Sequence, residues 1–317
     1  MNNATEFLGK VLLPYDGSSS AREALKFATA LGQLQCRGVE NLTLLRVIGG
    51  GYLARHIQNV DLRVLRLDQT KEWQRIRRRY LEEEIMPLLA EAKELLQQYE
   101  FPAPIEMQVA EGKVGEKILE VAQTGKYASI ILGRRGLSPV KELVMGSTTR
   151  HVLNRAAGLS VFVVGPEERP GLASPLFPLL LPVDGSAASL AAVRLAAGLA
   201  QGCTIAKPQI ILLHVVDLAL LGLTLAEEAR LLMDEGVKAL AEARQILDQA
   251  GLKDYTEEKL LSGNPAHVIA QEAEARQCAL ILMGSVGHSA LSRLFIGSVT
   301  NSVLHLVTQP TVAVVYP

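Results

Sequence analysis

Short uninterrupted apolar runs recur along the chain, separated by longer stretches with helical spacing. KVLLP (Lys10–Pro14), LTLLRV (Leu42–Val47), ASIILG (Ala128–Gly133) and VFVV (Val161–Val164) are continuous rather than alternating, as in strands buried on both faces. Between them, Ala21–Leu31, Trp73–Tyr99, Val114–Ala122 and Ser147–Ala156 carry apolar residues at helical intervals. Ser20 with Glu23 has the spacing of a capping box for the first of these helices. Strands alternating with helices predict a parallel sheet covered by helices on both faces.

The pattern then repeats. LLLPVDGS (Leu179–Ser186) parallels LLPYDGS (Leu12–Ser18), IILLHV (Ile210–Val215) parallels LTLLRV, ALILMG (Ala279–Gly284) parallels ASIILG, and VAVV (Val312–Val315) parallels VFVV. LLSGNPAHVI (Leu260–Ile269) likewise resembles VAEGKVGEKI (Val109–Ile118). The order and separations are kept, so a whole domain is duplicated rather than a short solenoid unit. Between the copies lies GPEERPGLASPLFP (Gly165–Pro178), with four prolines and two glycines, which continues neither a helix nor a central strand. The expected division is a first domain at 1–168, a linker at 169–177 and a second domain at 178–317. Each domain is expected to be α/β, with five parallel strands and about four helices.

Charge and composition narrow the chemistry. The 317 residues carry a net charge of -1, which argues against a general nucleic-acid or acidic-membrane surface. No apolar run is long enough to span a bilayer, and the N-terminal MNNATEFLGKVLLP lacks a signal-peptide pattern. Cys36, Cys203 and Cys278 are far apart, and the six histidines have no metal-binding spacing. These features predict a cytoplasmic protein with no structural metal or disulfide.

The strongest chemical signal is a glycine pattern written twice. Gly133, Gly136, Gly146 and Ser147 have the same spacing as Gly284, Gly287, Gly297 and Ser298. Each pattern follows an apolar strand and ends where a helix should begin. Glycines let backbone amides approach a ligand closely, and a helix N-terminus favours an anion. Phosphate is the expected guest. Neither copy reads as a Walker loop or as GxGxxG. Each copy is paired with a P-x-D-G-S stretch after the first strand of its half, Pro14–Ser18 or Pro182–Ser186. In a doubly wound sheet the two loops would line one crevice if their strands are neighbours at the switch point. Capping of the following helix is the competing role for Asp16 and Asp184.

These motifs resemble those of the universal stress protein family, in its tandem form and its ATP-binding branch, over nearly the whole chain. The resemblance implies two tandem doubly wound five-stranded domains with strand order 3-2-1-4-5, adenine nucleotide alpha hydrolase-like, paired through their fifth strands. It also implies ATP, ADP or AMP as ligand, with magnesium as a companion of the phosphates. By resemblance the contacts fall on Pro14, Asp16, Val47, Gly133, Arg135, Gly136, Gly146, Ser147 and Thr148. In the second half they fall on Pro182, Asp184, Val215, Gly284, Gly287, Gly297, Ser298 and Val299. The aspartates would hold the adenosine part, the valines would flank the base, and the glycine loops and serines would hold phosphate. The implied role is nucleotide-dependent regulation in a stress response. The alternatives are a slow ATPase or nucleotidyl transferase, and a scaffold with empty sites. A further homodimer is compatible with such pairing, and no nucleic acid or membrane partner is expected.

Charge predicts unequal sites. Arg134, Arg135 and Lys141 lie in the first loop, against His288 and Arg293 in the second, so the first is expected to favour triphosphate. Arg75, Arg77, Arg78 and Arg79 read as a solvated helix face, offset by Glu82, Glu83 and Glu84. His214, inside an apolar strand, reads as a packed residue.

Overall fold

The computed structural model describes residues 9–33, 39–49, 71–134, 145–165, 174, 176–201, 208–217, 226–287 and 296–317. In the first half, β1 (Lys10–Pro14), β2 (Asn41–Ile48), β3 (Ile105–Glu111), β4 (Ser129–Gly133) and β5 (Ser160–Val164) are accompanied by several helices. These are α1 (Ser19–Gly32), α2 (Lys71–Tyr80), α3 (Met86–Gln98), α4 (Val114–Thr124) and α5 (Ser147–Leu153). The second half repeats the order: β6 (Leu179–Pro182), α6 (Ala187–Gln201), β7 (Ile210–Asp217), α7 (Ala226–Gln249), β8 (Thr256–Gly263), α8 (Pro265–Ala275), β9 (Leu280–Gly284), α9 (Ser298–Leu306) and β10 (Thr311–Val315).

The strand order is β3-β2-β1-β4-β5-β10-β9-β6-β7-β8, in one sheet of ten strands. Each half keeps the expected 3-2-1-4-5 order. Their terminal strands hydrogen-bond to each other, the expected fifth-strand pairing, and so join the halves into one sheet. All neighbours within a half run parallel; β5 and β10 run antiparallel, with Val161 opposite Val314 and Val163 opposite Val312. Every residue of both strands is buried. A side-by-side contact would have left unpaired N–H and C=O groups along two apolar edges, and continuous pairing removes both.

The apolar runs explain the two cores. Leu42 and Leu44 of β2 point into one face with Leu25 of α1 and Leu89 and Leu96 of α3. Leu45 and Val47 point into the other with Ile118 and Val152. Each core continues through β5 and β10 into the second half. The edge strands β3 and β8 are mostly exposed on one or both faces and carry charge, which discourages further strand addition.

Two helix expectations change. Ser18, not Ser20, caps α1: its side chain accepts from the Ala21 amide. Gly17, at φ +80°, turns the chain in a conformation that suits glycine, so the helix begins directly after Ser18. The long helix expected over Trp73–Tyr99 is interrupted by a π-turn at Leu81–Ile85. Pro87 follows that turn in the first turn of α3. Proline lacks an N–H and clashes with the carbonyl one turn back, and the wider π-turn relieves both problems. The basic run before it is solvated, as expected, with Arg79 3.7 Å from Glu83 and Arg77 2.5 Å from Glu111 at the end of β3.

Candidate functional site

β1 and β4 are neighbours, as are β6 and β9, so the chain leaves adjacent strands in opposite directions at both switch points. The local turns are built alike. Pro14 and Pro182 end their strands, and the amides of Tyr15 and Val183 continue the ladder to Leu45 and Leu213, at 2.8 Å each. Oδ1 of Asp16 then accepts from the Ser18 amide at 3.0 Å, and Oδ1 of Asp184 accepts from the Ser186 amide at 3.0 Å. The serines, rather than the aspartates, cap the helices that follow. Helix capping is therefore not what the aspartates do. One carboxylate oxygen shapes the turn, leaving the other oxygen for the crevice.

The second half shows the crevice itself, a cavity of about 710 Å³. The predicted residues Pro182, Asp184, Val215, Gly284, Gly287, Gly297, Ser298 and Val299 all line it. A Cβ on Gly287 would stand 2.5 Å from Oδ2 of Asp184, so that glycine lets the second loop close over the carboxylate. Gly284 serves packing instead, since a Cβ there would meet the backbone of Ala188 and Ser189 at 2.7 Å. Gly133 is packed in the same way against Ser20 of α1. The first glycine of each motif thus sets close strand–helix packing, and in the second half Gly287 and Gly297 border the crevice beside it.

The floor of the crevice is a helix N-terminus. Gly297 precedes α9 without a side-chain cap, as Gly146 precedes α5. The first amides of α9 at Ser298, Val299 and Thr300 border the cavity, where unsatisfied N–H groups and the helix dipole favour an anion. Thr300 donates its hydroxyl to the Gly284 carbonyl at 2.9 Å, and Thr149 does the same to Gly133 at 3.3 Å. These threonines tie each helix to the end of its strand. Among the described lining residues the ionisable groups are Asp184, Asp217, Glu235 and His214. The wall is thus rich in hydrogen-bond acceptors for hydroxyl and amino groups, while the anion-binding character lies at the α9 N-terminus.

The profile of the "Universal stress protein family" matches residues 8–164 and again residues 177–315. The chain belongs to the universal stress protein family. A universal stress protein of Methanocaldococcus jannaschii is 31% identical over 144 residues, 44% of this chain and 82% of that one. A second, from Mycolicibacterium smegmatis, is 25% identical over 215 residues, covering 66% of this chain and 68% of its own. The solved structure of a universal stress protein from Archaeoglobus fulgidus superposes with a TM-score of 0.67, covering 99% of both chains at 18% identity. That likeness extends over the whole length, so the tandem arrangement has a counterpart of the same fold.

In the first half of this tandem universal stress protein, Pro14, Val47 and Gly133 lie at the carboxyl ends of β1, β2 and β4, Asp16 in the turn after β1, and Gly146, Ser147 and Thr148 at the start of α5. Arg135 and Gly136 lie outside the described residues, as do Lys141, His288 and Arg293. Arg134 is described, and it corrects the charge expectation. Its side chain is buried and turned away from the first crevice, and Nη1 donates to the carbonyls of Leu304 and Val307 in the other half, both at 2.7 Å.

His214 is a packed residue and a crevice residue at once. Nδ1 lies 2.8 Å from the Val183 carbonyl, which can only accept, so Nδ1 carries the proton. Its place in the first half is taken by Arg46, whose Nε is sealed from solvent without a hydrogen-bond partner among the described residues. Sequence reading missed the wall contributed by α7, including Leu232 and Glu235, because this region has no counterpart in the repeated motifs. The threonine ties were visible as GSTT and GSVT.

Proposed function

We propose that this universal stress protein binds an adenine nucleotide in the crevice of each half and acts as a nucleotide-dependent regulatory module. The observation that carries the proposal is the pairing, in one cavity, of the Asp184 carboxylate with the uncapped N-terminus of α9. An acceptor suited to ribose hydroxyls or a base amino group stands at one wall, and an anion-binding helix end stands at the other. A nucleotide has both needs in one molecule. Val215 and Ile296 offer apolar surface for the base. In this reading ATP, ADP or AMP occupies the site, and magnesium arrives with the phosphates, since no cluster of three or more metal-ligating side chains occurs among the described residues.

Regulation fits the architecture better than rapid chemistry does. Fast phosphoryl transfer needs positioned metal and a group orienting the attacking water. The reading instead gives the nucleotide a structural effect, since both crevices flank one shared sheet. The test is to identify by mass spectrometry the small molecule released when the purified protein is denatured. An adenine nucleotide supports the proposal. A different ligand class, or no ligand together with no binding of added ATP or AMP, overturns it.

A further inference from the structure

Arg134 follows the first glycine of the first loop, where a cation would be expected to meet phosphate. The structure uses it differently. Its backbone is pinned on both sides: its amide donates to the Val164 carbonyl at 3.0 Å, and its carbonyl accepts from the Gly146 amide at 3.1 Å. Its guanidinium crosses to the second half. There Nη1 bonds the carbonyls of Leu304 and Val307, at 2.7 Å each, and Nη2 reaches that of Pro310 at 3.5 Å. Leu304 is in the last turn of α9, and Val307 is the residue just past it. One residue therefore fixes the base of the first loop and the far end of the helix whose N-terminus floors the second crevice.

We infer that Arg134 is a positioning residue for the second site, holding α9 so that its N-terminal amides face the phosphate of a bound nucleotide. The inference rests on the nucleotide reading of that crevice. A helix leaves its last carbonyls without intrahelical partners, and a cation there opposes the negative end of the dipole. The forked guanidinium meets two such carbonyls at once, which a single-point ammonium does less well.

The matching contact on the other side of the junction is not the same. Ser285 stands where the first half has Arg134, and it sends no such side chain across. Instead Tyr316 donates its hydroxyl to the Leu153 carbonyl, at the end of α5. Burial raises the Tyr316 pKa, so that cap stays neutral. Each glycine-loop helix is thus capped by a residue of the other half, and of these two contacts only the one to α9 carries a full positive charge. A charged residue counted by sequence with the first site serves the second.

The experiment compares Arg134→Met and Arg134→Lys in an Asp16→Ala background, so that titration reports the second site. The probes are adenosine, AMP and ATP. The expected result for Arg134→Met is about fivefold weaker binding of AMP and ATP, the scale of a lost charge–dipole contact, with adenosine changed less than about twofold. Arg134→Lys should recover part of the loss, because it restores the charge but not the fork. A purely structural role would weaken all three ligands alike, and that outcome overturns the inference, as does undiminished AMP and ATP binding. Hydrogen exchange of the Asn301–Val307 amides gives a ligand-free arm. Arg134→Met should speed it, and unchanged exchange overturns the inference. If the parent chain binds no adenine nucleotide, the functional reading fails, and the exchange result alone decides whether Arg134 orders α9.

Discussion

Asp184 and Gly287 face each other so closely that a Cβ on the glycine would stand 2.5 Å from Oδ2 of the carboxylate. The glycine keeps that carboxylate in place as well as leaving room for a ligand. Even Gly287→Ala must therefore move Asp184. The expected outcome is at least about tenfold weaker nucleotide binding at the second site, because a hydrogen bond to a charged group contributes roughly 1.5–3 kcal/mol. Melting temperature should change little, since the glycine lies at a partly exposed rim. Calorimetry with AMP, beside a thermal melt, checks both statements.

With Arg134 engaged by the second half, Arg46, at the place of His214 in the repeat, is a cation of the first half within the described residues. Its Nε is buried with no hydrogen-bond partner among the described residues, and such groups call for an acceptor. A phosphate oxygen would supply one. Arg46→Met in a Gly287→Ala background should weaken ATP binding at the first site by about tenfold while leaving the fold stable. Titration of ATP decides this, and an unchanged affinity would mean that Arg46 faces away from the ligand.

Antiparallel pairing of β5 and β10 joins the halves into one sheet, so they are expected to unfold as one unit. Val314 is fully buried and lies opposite Val161. Val314→Asp would bury a carboxylate with no cation designed for it. A loss of about 3 kcal/mol or more is expected. Denaturant unfolding should show it, together with loss of a single cooperative transition if the halves then melt apart.

Hydrolysis of ATP should be slow, well below the median enzyme turnover of about 10 per second. Steady-state phosphate release at saturating ATP and magnesium is the measurement. Rapid release abolished by one conservative substitution in a crevice would contradict the regulatory reading.

Much of this was legible in the chain. The apolar runs marked the strands because a sheet covered on both faces needs no polar alternation. The paired P-x-D-G-S and glycine motifs located the crevice because close backbone approach demands glycine at fixed places. What could not be read was direction. Nothing local marks Arg134 as the residue that reaches across the interface, since the partner carbonyls of Leu304 and Val307 come from a distant part of the chain. The π-turn before Pro87 was hidden for a similar reason: periodicity shows that a helix exists, whereas its accommodation of one proline depends on packing. The pairing of the two halves through their fifth strands, by contrast, was expected, and the β5–β10 ladder bears it out.

The central claim is that each half holds one adenine nucleotide. Native mass spectrometry of the intact chain titrated with ATP tests it most directly. The account predicts adducts of one and then two nucleotides per chain, with Gly287→Ala losing one of them. Absence of any adduct at millimolar ATP, or two undiminished adducts in the variant, would contradict it.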